Sequence, residues 1–143
     1  MKIKVKNSGI VTLIARSDRR GDLFAAETRK DIPFPIKRVY FINNIKDVST
    51  VRGRHAHKKT AQVFFCISGS FVMGLDDGVR KQKVLLDSPE FGVVVGPKLW
   101  HTMSKFSKNC VLLVFASEYY NERDYIRSYP DFLKYIKTHA SKK

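Results

Sequence analysis

Short apolar runs rich in β-forming residues, separated by turn sequences, extend from Ile3 to Ser117 and restrict the folds open to this chain. AQVFFCI and SFVMGL flank the tight turn Ser68-Gly69-Ser70, and DDG at 76–78 is a hairpin signal that leads into VRKQKVLL. FGVVV and CVLLVFA are runs of the kind buried in a barrel or sandwich. Many short strands with regular turns predict an all-β domain built as an antiparallel barrel or jelly roll.

The segments that precede residue 45 fit the same architecture. GIVTLIA is β-rich, whereas the polar residues and Gly21 of SDRRGDL predict a break after it. IPFPIKRVYFI contains two prolines and then an alternating run. Because side chains alternate along a strand, Arg38 and Tyr40 share one face and Val39 lies on the other.

The sequence changes character after Glu118. NERDYIRSYPDFLKYIKTHA places apolar residues at mostly helical spacings, with Pro130 as an interruption. We therefore expect one or two short helices, at about residues 122–138, to close the end of the β-domain. A chain of 143 residues without linkers or repeats is expected to form a single domain over residues 1–143.

The formal net charge of +14 is the unusual global property of the chain. So large a charge indicates an anionic partner, either a nucleic acid or a phosphorylated small molecule. The basic residues are scattered, and no RNP, helix-turn-helix or zinc-finger pattern accompanies them. That distribution weighs against a nucleic-acid partner.

Two further expectations concern cellular location and redox state. No apolar run approaches the roughly 20 residues of a membrane span. The N-terminal MKIKVKNSGI lacks the apolar core of a signal peptide, so we expect a cytoplasmic protein with no membrane partner. Cys66 and Cys110 both lie in apolar runs, which predicts buried reduced thiols rather than a disulfide.

RGRHAHKKTAQVFFCISGS contains a His-x-His pair. On a strand, residues i and i+2 point to the same side, so His55 and His57 project together while Ala56 projects away. GPKLWH places a third histidine, His101, before another strand. Three imidazoles in one cavity could hold a metal ion, transfer protons without a metal, or form a packed polar feature.

The layout of these histidines resembles the two sequence motifs of the cupin superfamily. Gln62 and Gly69 stand where the first motif has its glutamate and glycine, and GPKLWH resembles a shortened second motif. Gln62 thus replaces a carboxylate that is normally a metal ligand, and Lys105 stands where the second motif has an asparagine. A neutral amide and a cation suit a divalent ion poorly, so we expect no functional metal, although three histidines can hold Zn²⁺.

Longer blocks resemble a particular family, the sugar-nucleotide 3,4-ketoisomerases that act on dTDP-4-keto-6-deoxyglucose. The match runs from about Arg20 to Ile136, through IPFPIKRVYFI, RGRHAHKKTAQ, VLLDSPEFGVVVGPKLWH and VLLVFASEYYNERDYIRSYPDFLKYI. This resemblance implies a cupin-type jelly roll, a homodimer with exchanged strands, a dTDP-sugar substrate, and no metal or other cofactor.

The family resemblance also implies roles for individual residues. His55 would be the main base, with His57 as a second proton-transfer or orienting group, although spacing alone does not rank the two. His101 would act at C4 of the sugar, and Arg20, in DRRGDL, would lie near the sugar. The candidates for substrate binding are Arg52, Arg38, Tyr40, Lys58, Gln62 and Trp100.

These residue types suit the reaction. Moving a ketone from C4 to C3 requires removal of the C3 proton and reprotonation at C4, and imidazole titrates in the right range for both steps. Arginine binds a diphosphate through paired hydrogen bonds. Trp100 could stack on the thymine or lie in the core.

Within the family, two positions distinguish the products. Arg20 and His101 resemble the branch that makes 3-keto-6-deoxygalactose, whereas the branch that makes 3-keto-6-deoxyglucose has Tyr and Arg there. We therefore expect dTDP-3-keto-6-deoxygalactose, for a deoxyamino sugar of a surface polysaccharide such as the O-antigen of lipopolysaccharide. The alternatives are the gluco product, a dTDP-sugar epimerase and, from other classes, a metal-dependent cupin or a basic nucleic-acid-binding protein.

Overall fold

Two antiparallel β-sheets of five strands each dominate the computed structural model, which describes residues 1–140. The strands, in chain order, are β1 (Ser8–Thr12), β2 (Arg16–Asp18), β3 (Gly21–Leu23), β4 (Arg38–Ile42), β5 (Arg52–His57), β6 (Gln62–Ser68), β7 (Phe71–Asp76), β8 (Lys81–Leu86), β9 (Phe91–Val95), β10 (Trp100–Ser104), β11 (Val111–Ala116) and β12 (Tyr125–Ile126). A 3₁₀ helix covers Glu122–Asp124, and the α-helix α1 covers Tyr129–Thr138.

The strand order is that of a jelly roll. The first sheet has the order β1-β9-β6-β11-β4, and the second has the order β12-β5-β10-β7-β8. All pairs between these strands are antiparallel, and most join strands that are distant in sequence, such as β6 with β9 and β11. The predicted all-β antiparallel jelly roll with a short C-terminal helix is confirmed.

The core lies between the two sheets, because each sheet turns one apolar face toward the other. Alternate residues of β6, β7, β8, β9 and β11 supply it, and they are Phe64, Cys66, Phe71, Met73, Leu75, Val84, Leu86, Val93, Val95, Leu112 and Val114. The ring of Phe64 lies 5.7 Å from the ring of His101, centre to centre. This packed core therefore borders the histidines and fixes the strands that carry them.

The two cysteines face this core as predicted. Cys66 and Cys110 are both buried free thiols, with 4.0 Å between their sulfur atoms. Burial is the main cause that raises the pKa of Cys66 to about 12, so this thiol stays protonated and behaves as an apolar side chain.

No helix within residues 1–140 is long and apolar enough to cross a membrane.

The segment after Glu118 differs in part from the prediction of one or two helices at 122–138. The 3₁₀ helix is followed by the short strand β12, which pairs with β5 so that Tyr125 lies opposite His57. Pro130 does not interrupt a helix, because it stands at the start of α1, where Ser128 is the N-cap. Phe132 of α1 is buried against Ala56 and Ile126 of the second sheet.

The SDRRGDL segment also differs from its prediction. Instead of a simple break, it forms the hairpin of β2 and β3, in which Asp18 lies opposite Gly21. The hairpin belongs to neither five-stranded sheet, and all of its strand residues are exposed. Arg20 lies in its turn and pairs with Asp18 at 2.7 Å.

Candidate active site

Strands β5 and β10 bring the three predicted histidines together. His55 and His57 project from β5 to one side, as their spacing predicts, and His101 of β10 is the direct strand partner of His55. The pairing shifts register just after His101. On the opposite strand Gly53 has φ +81°, and a Cβ there would lie 2.9 Å from the carbonyl oxygen of His101. Glycine is therefore required for the bulge that aligns the histidines.

The three imidazole rings form a compact cluster. The ring centre of His55 lies 5.0 Å from that of His57 and 4.7 Å from that of His101, and the remaining pair is 6.0 Å apart. His57 and His101 are almost fully buried. Such proximity allows a proton taken by one imidazole to reach another with little movement.

Two of the imidazoles have fixed tautomers. Nδ1 of His57 donates to the carboxylate of Asp124 at 3.0 Å, and Nδ1 of His101 donates to the carbonyl of Leu99 at 3.2 Å. In a neutral imidazole whose Nδ1 carries the proton, Nε2 holds a lone pair. Both rings therefore present Nε2 as an acceptor.

Asp124 is itself fixed by several donors. Its carboxylate accepts from the hydroxyl of Thr60 at 2.5 Å and from the backbone N–H of Lys59 at 2.7 Å, besides the imidazole of His57. Burial alone would raise the pKa of Asp124, but these hydrogen bonds outweigh it and lower the pKa. The carboxylate remains charged and holds His57 in position.

All three imidazoles are neutral near pH 7. Burial is the main cause that lowers the pKa of His55 to about 4, and repulsion from His57 adds to it. Burial also lowers the pKa of His57, although Asp124 opposes the shift, and it lowers the pKa of fully buried His101 well below the ordinary range. Neutral imidazoles can accept protons, which a base requires.

Several buried polar atoms of the cluster have no hydrogen-bond partner within residues 1–140. These atoms are Nδ1 of His55, Nε2 of His57, Nε2 of His101 and Oε1 of Gln62. The amide nitrogen of Gln62 does have a partner, because it donates to the hydroxyl of Tyr40 at 2.8 Å. Unsatisfied buried polar atoms are costly and rare in folded proteins, and at least three of these four are acceptors. This concentration indicates a site built for a ligand that donates hydrogen bonds or protons.

A cavity of about 460 Å³ opens beside His55 and has a strongly cationic wall. Arg38, Arg52 and Arg127 line it together with the phenol rings of Tyr40 and Tyr125. Nε of Arg38 is buried and has no hydrogen-bond partner in the described chain. Three guanidinium groups around one opening suit an anion such as a diphosphate.

Sequence reasoning missed three residues of this site, namely Asp124, Tyr125 and Arg127. The ring of Tyr125 lies 4.9 Å from that of His55 and 4.5 Å from that of His57. The pairing of β12 with β5 brings these residues to the histidines. Helical periodicity after residue 118 concealed this strand of two residues, and a strand so short leaves no period of its own.

Three predicted site residues lie outside the cavity. Arg20 is 91% exposed on its hairpin. Lys58 points to α1, with Nζ 5.8 Å from the ring centre of Tyr135. Trp100 alternates with His101 on β10, so it faces outward and packs on Tyr129 and Phe132 of α1. In the described subunit, Trp100 is thus partly buried under α1 and Lys58 lies beside that helix, so neither lines the cavity. Their contacts with substrate stay predictions, as does that of Arg20.

The cluster offers only part of a metal shell. One nitrogen of each histidine lies within 4.8 Å of the others, close enough to share an ion after small movements. The motif's carboxylate is replaced by Gln62, whose amide is already bonded to Tyr40. The donor set is therefore three neutral nitrogens and one amide oxygen beside several arginines, which is less favourable for a divalent ion than a carboxylate-completed shell. The absence of a functional metal stays a prediction.

Fold and site together define a class, a jelly-roll protein of the cupin type with a buried histidine cluster under a cationic opening. A family model described as "FdtA: WxcM-like, C-terminal" matches residues 6–137. A TDP-4-oxo-6-deoxy-alpha-D-glucose-3,4-oxoisomerase of Aneurinibacillus thermoaerophilus is 54% identical over 119 residues, which are 83% of this chain and 85% of that protein.

Solved structures agree with this match. QdtA, a sugar 3,4-ketoisomerase from Thermoanaerobacterium thermosaccharolyticum in complex with TDP, is 39% identical with a TM-score of 0.91, over 95% of this chain and 98% of that one. WlaRB, a TDP-quinovose 3,4-ketoisomerase from Campylobacter jejuni, is 43% identical with a TM-score of 0.86, over 91% of this chain and 99% of that one. The chain belongs to the FdtA family of sugar-nucleotide 3,4-ketoisomerases, which are isomerases.

Proposed function

We propose that this protein converts dTDP-4-keto-6-deoxyglucose to dTDP-3-keto-6-deoxygalactose by proton transfer between the sugar and its histidine cluster. The observation that carries the proposal is the set of unpartnered ring nitrogens on three adjacent, neutral imidazoles. Ketone migration needs bases of this kind close to two neighbouring carbons. The likeness to a curated oxoisomerase of the 4-oxo-6-deoxyglucose nucleotide supports the choice of substrate.

The atoms balance without a redox cofactor. One imidazole takes the proton from C3, and the electron pair of that bond forms the C3–C4 double bond of an enediolate as the C4 carbonyl oxygen becomes an oxyanion. That proton passes from the first imidazole to the lone pair of a neighbouring one, which delivers it to C4. C3 becomes the ketone, and the hydroxyl proton moves from the oxygen on C3 to that on C4. The resemblance favours His55 as the base and His101 as the group that acts at C4, and 4.7 Å separates their ring centres.

The cavity wall supports a nucleoside diphosphate as the activating group of the substrate. Arg38 and Arg52 lie beside His55 and offer guanidinium groups for the phosphates. Arg38 is packed between two phenol rings, with Cζ 5.3 Å from the ring centre of Tyr40 and 5.7 Å from that of Tyr120. Stacking restricts its rotamers, so less entropy is lost when it binds an anion.

Two products are possible, and separate observations favour each. The pair of Arg20 and His101 resembles the galacto branch, and an imidazole that has taken up a proton can donate it to C4, whereas an arginine is a poor proton donor. WlaRB, which is 43% identical, is a TDP-quinovose 3,4-ketoisomerase, and this favours the gluco product. We favour the galacto product, because the residue that indicates it, His101, belongs to the buried histidine cluster.

Incubation with dTDP-4-keto-6-deoxyglucose and NMR of the product tests the proposal. The 3-keto sugar is labile, so the partner aminotransferase should trap it before the couplings of H4 are measured. Small H4–H3 and H4–H5 couplings are expected for an axial C4 hydroxyl, whereas large diaxial couplings would mean the gluco product. Recovery of a C5-inverted 4-keto sugar would instead make the protein an epimerase, and unchanged substrate would contradict the proposal altogether.

Metal independence is tested on the same reaction. Activity should survive prolonged treatment with EDTA, because the first-motif carboxylate is Gln62 and the imidazoles transfer protons themselves. Initial rates before and after chelation, with metal analysis of the untreated protein, measure this. Loss of activity that one divalent ion restores would make His55, His57 and His101 metal ligands.

The protein works as a homodimer with exchanged strands in this proposal. Leu23, Val39, Phe41 and Ile67 are 57%, 55%, 62% and 48% exposed, which is a large apolar exposure for a lone subunit. In the described residues, β1 and β4 are edge strands of the first sheet. Arg20 lies on an exposed hairpin and does not line the cavity of its own subunit. That position is expected of a residue that contributes to the active site of a second subunit.

A further inference from the structure

One exposed ion pair stands at the opening of the histidine cavity. Nε and Nη2 of Arg127 donate to the two carboxylate oxygens of Glu122 at 2.8 and 2.9 Å. The pair is thus bidentate, the geometry in which a guanidinium also grips a phosphate. Arg127 lines the cavity together with Arg38 and Arg52, whereas Glu122 is not among the lining residues.

Aromatic contacts keep Arg127 over the cavity. Its Cζ lies 4.3 Å from the ring centre of Tyr125, and that ring in turn packs against His55 and His57. Because the guanidinium rests on a ring that is itself packed, its position over the cavity does not depend on Glu122 alone. The stack would persist if the carboxylate moved away.

Glu122 is held in its place by a second donor. The hydroxyl of Tyr120 donates to Oε2 of Glu122 at 2.5 Å. The hydrogen bond from Arg127 is the main cause that lowers the pKa of Glu122 to about 2, so the carboxylate is charged at every pH at which the cavity histidines are neutral. One of the three guanidinium groups at the opening, that of Arg127, is therefore always paired with a negatively charged carboxylate.

We infer that Glu122 competes with the substrate's diphosphate for Arg127, so that the ion pair acts as a latch that tunes substrate affinity. This rests on the proposed function, because it assumes a nucleoside diphosphate in the cavity. The side chains of Arg127 and Glu122 are 54% and 59% exposed, and exposed pairs are weak enough for a phosphate to displace. Binding transfers the guanidinium edge from carboxylate to phosphate, and Glu122 then swings to solvent.

The latch makes Glu122 an antagonist of binding, which distinguishes it from a residue that merely positions Arg127. Replacing Glu122 by Gln removes the charge but keeps the size and the hydrogen-bonding capacity toward Tyr120. The affinity for dTDP should then rise by about threefold to tenfold, since an exposed pair and its charge repulsion are lost. KM should fall while kcat stays unchanged, because the latch touches no reacting atom.

Isothermal titration with dTDP, and separately with inorganic pyrophosphate, tests the latch on wild type, Glu122→Gln, Arg127→Ala and the double variant. Glu27→Gln is the matched control, because Glu27 is 62% exposed, pairs with Lys30 at 3.2 Å and lies outside the cavity. Tightening in Glu122→Gln, absent from Glu27→Gln and from the Arg127→Ala background, supports the latch. Unchanged or weaker binding by Glu122→Gln overturns it and makes Glu122 a support for Arg127.

The two ligands separate this inference from the proposed function. If wild type does not bind dTDP but Glu122→Gln binds pyrophosphate more tightly through Arg127, the substrate assignment fails, while competition between Glu122 and a diphosphate for Arg127 stands. If wild type binds dTDP and forms the 3-keto product, but Glu122→Gln changes the affinity for neither dTDP nor pyrophosphate, the latch fails and the proposed function stands.

Discussion

At the scale of the residue, the three imidazoles differ in the hydrogen bonds that hold them. Asp124 holds His57, the Leu99 carbonyl holds His101, and Nδ1 of His55 has no partner in the described chain. His55 also lines the open cavity, where a substrate proton can reach it, whereas the other two imidazoles are restrained and almost fully buried. This difference, which spacing could not reveal, supports His55 as the main base.

Replacing His55 by Asn should lower kcat by about 10²- to 10⁴-fold, the usual contribution of a general base. Binding of dTDP and thermal unfolding should change little, because Asn fills a similar volume and keeps a polar head in the cavity. Product NMR and calorimetry measure the two effects. His139→Asn is the matched control, since His139 stacks on Tyr135 of α1, outside the cavity. If the His55→Asn variant keeps the wild-type kcat, His55 has only a structural role.

Stability should also depend on these protonation states. The pKa of His55 is about 4 in the folded protein, below its ordinary 6.5, because burial disfavours the cation. An unfolded chain takes up this proton below about pH 6.5, so the stabilisation is complete above that pH and is lost as the pH falls toward 4. Urea unfolding should give a smaller free energy at about pH 5 than at about pH 7. This difference in unfolding free energy between the two pH values should be smaller in His55→Asn. An equal difference in both proteins would contradict the lowered pKa of His55.

At the scale of the element, the bulged pairing of β5 with β10 aligns the cluster. Gly53→Ala would put a Cβ 2.9 Å from the carbonyl oxygen of His101, at φ +81°, so the strands must separate. We expect a loss of about 1–3 kcal/mol of stability and most of the activity. Urea denaturation and initial rates measure both. Gly9→Ala is the control, because its Cβ would meet only Val94 at 3.7 Å. Equal behaviour of the two variants would show that the bulge tolerates a side chain.

At the scale of the whole molecule, the isolated subunit leaves Arg20 outside its cavity and an apolar surface uncovered. If Arg20 serves a partner's cavity, Arg20→Ala and His55→Asn should each be nearly inactive alone. Co-expressed chains should regain about a quarter of wild-type activity, because half of the dimers are mixed and each has one intact site. Light scattering and product NMR provide the measurements. Mixed dimers that stay inactive would show that Arg20 does not act across the interface.

The sequence by itself determined most of the strands in the two large sheets and the three histidines of the cluster. Apolar runs and turn residues located most of β4 to β11, because a half-buried strand imposes a period of two on its own residues. The His-x-His spacing put His55 and His57 on one side for the same reason. Motif order supplied His101, and the replacement of a carboxylate by Gln62 was visible in the sequence alone.

Only the tertiary structure decided which other residues join that cluster. Asp124, Tyr125 and Arg127 reach it through the strand β12, whose pairing with β5 joins segments about 70 positions apart by hydrogen bonds that no local pattern records. Tertiary packing also turned Trp100 and Lys58 toward α1 and left Arg20 on an exposed hairpin. Local periodicity specifies which face of a strand a side chain occupies, but what lies opposite that face depends on contacts between distant segments.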